Sequence, residues 1–575
     1  MALSICVAQL NPAVGDWQGN LAQALAAAAH AHAQGHNLLI FPELFLTGYA
    51  AGDLYARPRF LHDAAQALQQ LQEASTQWPG LHILISHAEA LDPHTPLPPD
   101  TSTLPPASHT VSLLREGQRL GAWGKQTLPN EGAFDEKRYF LSGIHHRAQP
   151  DPVVEIAGIR LGILICADAW KAEPAARAKA AGAQALLVLS ASPFTHDKPA
   201  ARLRMARERT QETGLPLLYA NLLGGQDELV FDGHSFAVQA NGQTAGQAPA
   251  FEECLWPLRL AAGPDGLQWL SENGASGPIS ESNANIPDAL HHHATWQALT
   301  LATRDYVRKN GFSHVLLGLS GGLDSALVLA IAVDALGADR VHAIMMPSPY
   351  TASISVDDAR EMVQRLGVRY DEISIRETFE SFKHSLAPLF AGRAEDATEE
   401  NLQARIRGVM LMAISNKFGG LLLTTSNKSE VAMGYSTLYG DSCGGYAPLK
   451  DIFKSEAFAL ARWRNAHTFG LGPANPIPER IITRPPSAEL RENQTDQDSL
   501  PPYEMLDAIV RLRMQEEHSA EQIIAAGYPA ERVAQVFKLL RISEYKRQQS
   551  APGPKLSARS FGRDWRYPIT NRYRD

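Results

Sequence analysis

Cys166, Glu43 and Lys125 are the residues in the first half of the sequence whose types and settings suit cleavage of a carbon–nitrogen bond. Cys166 follows an apolar run at 160–165 and precedes Ala167-Asp168-Ala169-Trp170. Glu43 sits in Phe41-Pro42-Glu43-Leu44, directly after another apolar run. Lys125 sits in Gly124-Lys125-Gln126-Thr127-Leu128-Pro129. Alone, such a cysteine is usually a small buried hydrophobe, and such charges are usually solvated. Together they form a chemical set. A thiol near its free pKa is mostly protonated at neutral pH, so it needs a base, and a glutamate can take its proton. An ammonium stabilises the thiolate and the oxyanion that forms when sulfur attacks an amide carbonyl. The glutamate can then pass its proton to the departing ammonia.

The second half offers Gly318-Leu319-Ser320-Gly321-Gly322-Leu323-Asp324-Ser325, between a strand candidate and a helix candidate. Glycines let backbone approach phosphates closely, and a helix N-terminus supplies N–H groups and the positive end of a dipole. Serine hydroxyls add donors. The string lacks a Gly-Lys-Ser/Thr ending, so it is not a Walker A loop. Asp324 suits a magnesium ion, because a hard cation takes carboxylate oxygens beside phosphates.

The elements that must position these groups read as β/α alternation. Strand candidates are 37–41, 82–86, 160–166, 185–190 and 216–221, and helix candidates are 21–33 and 199–213. The pattern predicts layered sheets covered by helices. The proline-dense stretch 92–110 reads as a surface loop. Gly, Ser, Asn and Pro between 263 and 287 read as a linker. Beyond it, strands at 314–319 and 341–346 alternate with helices at 324–336 and 355–366, which predicts a doubly wound parallel sheet. The segment 484–502 reads as a long mobile loop. At 575 residues the chain exceeds one core. The organisation expected is therefore 1–262, a linker 263–287, and 288–575. His291-His292-His293 reads as part of a solvated linker helix, since adjacent histidines on a helix point apart.

The first half resembles the nitrilase superfamily, whose members carry a Glu-Lys-Cys triad on a four-layer αββα sandwich. The resemblance spans nearly all of 1–260, including Ala8-Gln9-Leu10-Asn11-Pro12. That superfamily accepts many nitriles and amides, so the triad leaves the substrate open. Phe134-Asp135-Glu136-Lys137-Arg138-Tyr139-Phe140 and Ser190-Ala191-Ser192-Pro193-Phe194 look like the glutaminase branch attached to NAD synthetases. This implies glutamine contacts from Ser192 and Lys198. Where that branch often reads Leu-Pro-Asn-Tyr, this chain reads Leu128-Pro129-Asn130-Glu131. A carboxylate there would repel the α-carboxylate of glutamine but attract its α-ammonium, so Glu131 joins the expected glutamine site.

The string 318–325 resembles the PP-loop of ATP pyrophosphatases of the adenine nucleotide alpha hydrolase type, which adenylate an oxygen, release pyrophosphate and let nitrogen displace AMP. Met346-Pro347-Ser348, the stretches 400–407 and 424–430, Tyr439-Gly440-Asp441, the stretch 448–454 and Ser560-Phe561-Gly562-Arg563-Asp564-Trp565 are similar to the NAD synthetase family. The resemblance implies that Gly318, Leu319, Ser320, Gly321, Gly322, Leu323, Asp324 and Ser325 bind ATP with Thr425 and Lys454. It implies that Glu430 joins Asp324 at Mg2+ or meets deamido-NAD, and that Asn401 and Lys546 hold deamido-NAD. A lysine facing a pyrophosphate and an asparagine facing a ribose or amide are chemically apt. Many single-domain members carry lysine where this chain has Leu438, so that phosphate contact is left unassigned.

The reaction implied takes ATP, deamido-NAD and L-glutamine to AMP, pyrophosphate, NAD and glutamate. Free ammonia would be diluted and protonated, so an enclosed route completed by homo-oligomer contacts is expected. With 52 Lys and Arg against 61 Asp and Glu, net charge is −9, which excludes an extended nucleic-acid surface. No apolar run is long enough to span a bilayer, and the start lacks a basic signal region. The cysteines Cys6, Cys166, Cys254 and Cys443 form no CxxC pair, which fits a reducing cytoplasm. Rival readings are another ATP pyrophosphatase amidotransferase, of the GMP or asparagine kind, and a binding protein built from retired catalytic folds.

Overall fold

The computed structural model describes residues 2–92, 95, 105–145, 151–264, 266–271, 288–492 and 494–573. The chain divides into two compact units, Met1–Gln226 with Val230–Ile286, and Asp227–Leu229 with Pro287–Asp575.

The first unit is built on two main sheets. The larger runs in the order Gly266–Ser271, Cys254–Gly263, Ala2–Gln9, Leu38–Ile40, His82–Ala90, Ala107–Arg115 and Gln118–Gly124, with Phe140–Leu141 beside Ala107–Arg115. The other runs Thr244–Gln247, Phe236–Val238, Leu217–Asn221, Ala185–Ser190, Ile159–Ile165 and Val153–Ile156. Their inner faces share one core, in which Val7, Ile40 and Leu84 meet Ile163, Leu187 and Leu218. Helix Pro58–Ala74 packs on the larger sheet and against helix Trp17–Ala33. Helices Ala172–Ala180 and Lys198–Thr213 cover the outer face of the smaller sheet. The result is the four-layer sandwich expected. Alanines make the close layering possible: Ala24, Ala27, Ala28 and Ala31 of the first helix are all buried.

Strand direction decides where side chains gather. Ala2–Gln9, Leu38–Ile40 and His82–Ala90 are parallel. Gln118–Gly124 is antiparallel to Ala107–Arg115, which is itself antiparallel to His82–Ala90, so it returns to their direction. In the other sheet Ile159–Ile165, Ala185–Ser190 and Leu217–Asn221 are parallel. Glu43, Lys125, Cys166 and Ala191 each follow the carboxyl end of one of these strands. Ligand and catalytic groups favour such ends in α/β proteins.

The second unit has four parallel strands in the order Arg369–Glu372, Val341–Met345, Val315–Gly318 and Leu421–Leu423. From Val315–Gly318 the chain goes first to one neighbour and later to the other. This strand therefore marks the switch point of a doubly wound sheet. Helix Leu323–Leu336 is buried along almost its whole surface and packs against helices Asp288–Lys309 and Lys454–Ala466.

Four expectations change. Residues 107–110, expected in a loop, open a buried strand whose Ala107 pairs with Ala90. Residues 266–271, expected in the linker, form a strand on Cys254–Gly263, because alternate residues there, such as Trp269, close the edge of the core. The rest of the expected linker, 272–287, lies outside the described residues. The histidine run opens a helix whose other face enters the core, with Trp296 and Leu299 buried, while His291 and His292 are half-buried and His293 is exposed with its ring edge on Trp463 and Phe469. Residues 484–492 and 494–502 are fastened to the fold, with Ser355 Oγ donating to Glu489 at 2.6 Å and Gln403 Nε2 to the Leu490 carbonyl at 2.9 Å. Among the described residues no helix is long and apolar enough to cross a membrane.

Candidate active sites

The expected triad comes together in the first unit. Lys125 Nζ donates to Glu43 Oε1 at 2.7 Å and to Glu136 Oε1 at 2.8 Å. The Ala191 backbone N–H donates to Glu43 Oε2 at 2.7 Å, so both carboxylate oxygens are held. All four of Glu43, Lys125, Glu136 and Cys166 are buried. Burial disfavours the charge on Lys125, but Glu136 and Glu43 overcome it and hold its pKa well above the ordinary lysine value. The cation is therefore permanent at working pH. Burial pushes the Cys166 thiol up to about 12, Glu43 adds to this, and Lys125 opposes it. Cys166 thus rests as a thiol, and its proton must leave as sulfur attacks. Burial likewise lifts Glu136 to about 7. Glu43, His109 and Glu136 bring ligand atoms within 4.8 Å of one another. The Lys125 ammonium already sits on both carboxylates there, so the positive charge of the cluster is supplied by the chain.

Cys166 is held in a strained turn. Its φ is 43°, a left-handed value that side-chain-bearing residues adopt at a cost on the order of 1–3 kcal/mol. Asp168 fixes that turn. Its Oδ2 accepts from the Ile165 N–H at 3.1 Å, and its Oδ1 accepts from Gln126 N–H at 3.1 Å and Thr127 N–H at 2.7 Å. One buried carboxylate therefore ties the cysteine turn to the loop carrying Lys125. Sequence reasoning assigned no role to Asp168 or Glu136, although both lie in strings it quoted. Their meaning depends on partners tens of residues away.

Ser192 follows Ala191, and its N–H donates to Asn221 Oδ1 at 2.9 Å. Its carbonyl accepts from Arg202 Nη2 at 3.3 Å. Arg202 is itself paired with Asp232 at 2.7 and 3.1 Å in full burial. Lys198 opens its helix with Nζ 4.3 Å from the Trp170 ring centre, and Trp170 closes the turn that Cys166 begins. Both residues are thus anchored to the cysteine's surroundings. Glu131 is exposed in the turn beyond Lys125, its carbonyl accepting from the Phe134 N–H at 3.0 Å.

In the second unit the glycine-serine turn joins strand Val315–Gly318 to helix Leu323–Leu336. Gly321 has φ 77°, and a Cβ there would meet the Ser355 carbonyl oxygen at 2.2 Å. Only glycine fits. Ser325 Oγ accepts from the Ser320 N–H at 3.2 Å, and Ser320 Oγ from the Gly322 N–H at 3.2 Å, so the hydroxyls pre-shape the turn. A cleft of about 260 Å³ opens over it. Leu319, Ile344, Met346, Leu411 and Leu423 supply an apolar wall. Asp324, Thr425, Glu430, Lys454 and Asp496 supply a polar one. Lys454 Nζ contacts Asp324 Oδ2 and lies 3.4 Å from Glu430 Oε1. Burial opposes the Lys454 charge, but Asp324 and Glu430 raise its pKa above the ordinary value. Burial and then Asp324 push Glu430 up to about 8, with Lys454 only partly offsetting them. Carboxylates short of positive charge beside a glycine-serine turn at a helix start are a donor set that fits a hard divalent cation.

Asn401 and Lys546 do not line this cleft. Asn401 Oδ1 accepts from Thr437 Oγ1 at 2.6 Å, and Lys546 Nζ donates to the Gly434 and Ser436 carbonyls at 2.7 and 2.6 Å. They hold the turn 434–437. Arg407, left unassigned from sequence, does line the cleft; its Nε donates to the Met346 carbonyl at 3.1 Å. Burial lowers its pKa only to about 10, so it stays cationic at neutral pH.

Fold and sites together define a two-unit α/β protein, a sandwich that brings Glu43, Lys125 and Cys166 together followed by a parallel sheet whose glycine-serine turn lies under a cleft. A family described as carbon-nitrogen hydrolase matches residues 4–257, and one described as NAD synthase matches residues 295–550. The chain is 46% identical over 582 aligned residues to the glutamine-dependent NAD(+) synthetase of Xylella fastidiosa (strain 9a5c), covering 100% of this chain and 99% of that one. It is 45% identical to the enzyme of that name from Rhodobacter capsulatus, covering 99% of each. The solved structure of glutamine-dependent NAD+ synthetase from Acinetobacter baumannii in complex with ADP is similar, with 39% identity, a TM-score of 0.75 and 99% of each chain covered. A synthetase of that kind from Cytophaga hutchinsonii, 21% identical, shares the fold with a TM-score of 0.80 over 99% of this chain and 98% of that one. The chain belongs to the glutamine-dependent NAD(+) synthetase family.

Proposed function

We propose that Cys166, Glu43 and Lys125 hydrolyse L-glutamine and that the cleft over Gly318–Ser325 adenylates deamido-NAD, within the conversion of deamido-NAD to NAD by glutamine-derived ammonia that the chain carries out. The observation that carries the first part is the buried Lys125 ammonium, 2.7 Å from Glu43 in the site that contains Cys166. As the sulfur attacks the amide carbonyl, Glu43 takes the thiol proton and Lys125 faces the negative charge. Glu43 then returns the proton to the nitrogen as ammonia leaves, and later activates the water that releases glutamate. In the second unit the glycine-serine turn, Thr425 and Lys454 hold ATP, and Asp324 with Glu430 would hold Mg2+. That ion would supply charge to the pyrophosphate leaving group. Lys454 keeps the carboxylates from repelling the nucleotide. Asn401 and Lys546 meet deamido-NAD through the turn 434–437 that they support.

The direct test is an NAD-formation assay with ATP, Mg2+ and deamido-NAD, first with amide-labelled glutamine and then with ammonium. Label in the nicotinamide nitrogen and AMP as co-product are expected. ADP as co-product would overturn the adenylation reading.

Glu131 is assigned to the α-ammonium of glutamine. Charge-assisted contacts contribute about 1.5–3 kcal/mol, and exposure places this one at the lower end. Glu131→Gln is therefore expected to raise the KM for glutamine about tenfold, since 1.4 kcal/mol is a factor of ten. Ammonium-driven synthesis should stay intact. Unchanged glutamine kinetics would return Glu131 to the solvated surface.

A further inference from the structure

His109 lies on strand Ala107–Arg115, fully buried, with Nδ1 3.6 Å from Glu43 Oε1 and with no closer polar partner for that nitrogen among the described residues. Its other ring nitrogen, Nε2, is 3.1 Å from Ser86 Oγ on the adjacent strand His82–Ala90. The ring also packs against Phe140, centroids 5.4 Å apart. The groups that face it are Glu43, the Glu136 carboxylate within 4.8 Å, the Lys125 cation and the neighbouring His87. Burial first, then Lys125 and His87, hold its pKa well below the ordinary histidine value. A neutral imidazole has one N–H and one lone pair. A lone pair turned to an ionised Glu43 would repel it, so the proton belongs on Nδ1. Nε2 then accepts from the Ser86 hydroxyl at 3.1 Å, in preference to that hydroxyl's longer 3.4 Å approach to the Thr110 carbonyl.

We infer that His109 is a positioning residue for the Glu43 base, its Nδ1–H turned to Glu43 Oε1 and its tautomer set by Ser86. The inference rests on the triad reading of Glu43 and Cys166. Lys125 and Ala191 fix two directions around the carboxylate, and His109 supplies a third from the strand behind it. A neutral donor orients the carboxylate without adding a second full cation, which would make Glu43 a poorer base for the thiol proton.

The test uses the full chain and compares His109→Phe, His109→Asn and Ser86→Ala. Removing a donor from a carboxylate raises the carboxylate pKa. Glu43 acts deprotonated, so the acid limb of the glutamine-dependent kcat profile should move to higher pH in His109→Phe. Its kcat should fall about 10- to 100-fold, the KM for glutamine should stay within about twofold, and ammonium-driven synthesis should be unchanged. Asn places an amide N–H near the position of Nδ1, so His109→Asn should recover most of both losses. Ser86→Ala keeps the ring and frees its tautomer, and should give a smaller shift of the acid limb in the same direction. An unshifted acid limb in both His109→Phe and Ser86→Ala would overturn the inference. So would His109→Asn matching His109→Phe, since that pattern marks packing alone. If His109→Phe does not fold, an unshifted acid limb in Ser86→Ala by itself overturns the inference. Cys166→Ala and Glu43→Gln measured alongside separate the cases: retained glutaminase activity in those variants defeats the triad reading, not the role of His109.

Discussion

Cys166→Ala is expected to lower NAD formation from glutamine by at least ~10⁴-fold while ammonium-driven formation stays within about twofold. The size follows from chemistry: without sulfur no thioester forms, and Glu43 and Lys125 have no nucleophile to serve. Alanine keeps the turn, because Asp168 holds it through the backbone N–H groups of Ile165, Gln126 and Thr127 and not through the cysteine. Ammonium must be supplied at raised pH, where more of it is the free base that can attack. The measurement is NAD formed per minute with each nitrogen source, before and after the substitution. Equal loss of both activities would contradict the division of labour between the units.

Asp324→Ala is expected to lower synthesis from either nitrogen source by about 10²–10³-fold or more, the scale seen when one preorganised electrostatic group is removed. Asp324 stands at the start of helix Leu323–Leu336, accepts from Asn427 Nδ2 at 3.2 Å and contacts Lys454. Its loss leaves Lys454 paired with Glu430 alone and removes one of the two carboxylates assigned to Mg2+. Adenylation precedes amination, so raising ammonium cannot rescue the variant. Glutaminase chemistry in the first unit supplies the internal control: glutamate release from glutamine should persist. Normal ammonium-driven turnover in Asp324→Ala would overturn the Mg2+ assignment.

The two substitutions probe features of different legibility. The turn 318–325 was legible because it is contiguous. Gly321 must be glycine for its φ and for the approach of Ser355, and Ser320 and Ser325 bond within five residues of each other. Apart from the approach of Ser355, these eight neighbouring residues carry their own geometry. The triad was legible in part, since Glu43 and Cys166 follow strand candidates, all three residue types are chemically suggestive, and the named resemblance joined them; the strand Gln118–Gly124 that carries Lys125 was not expected. Strand existence was legible in the longer apolar runs, such as 160–166 and 185–190, but not in the three-residue strand Leu421–Leu423. The strand Gly266–Ser271 was not, because its glycine and its polar residues read as linker until pairing with Cys254–Gly263 sets one face inward.

What the sequence by itself determined, then, is the set of local devices: the glycine-serine turn, the alternation of strands and helices in both units, and the chemical types at 43, 125 and 166. Only the tertiary structure decided which groups surround them. Glu136 reaches Lys125 across 11 residues, Asp168 reaches Thr127 across 41, and Lys454 meets Asp324 across 130. His109 faces Glu43 from a strand two places along the sheet from the one that Glu43 follows. Asn401 and Lys546 bond to the turn 434–437 and lie outside the lining of the cleft over Gly318–Ser325. The physical reason is that a local motif encodes φ and ψ and nearby hydrogen bonds. The burial that lifts Cys166 to about 12 and Glu430 to about 8, and the pairing that keeps Lys125 charged, come from packing between sheets and helices far apart in the chain.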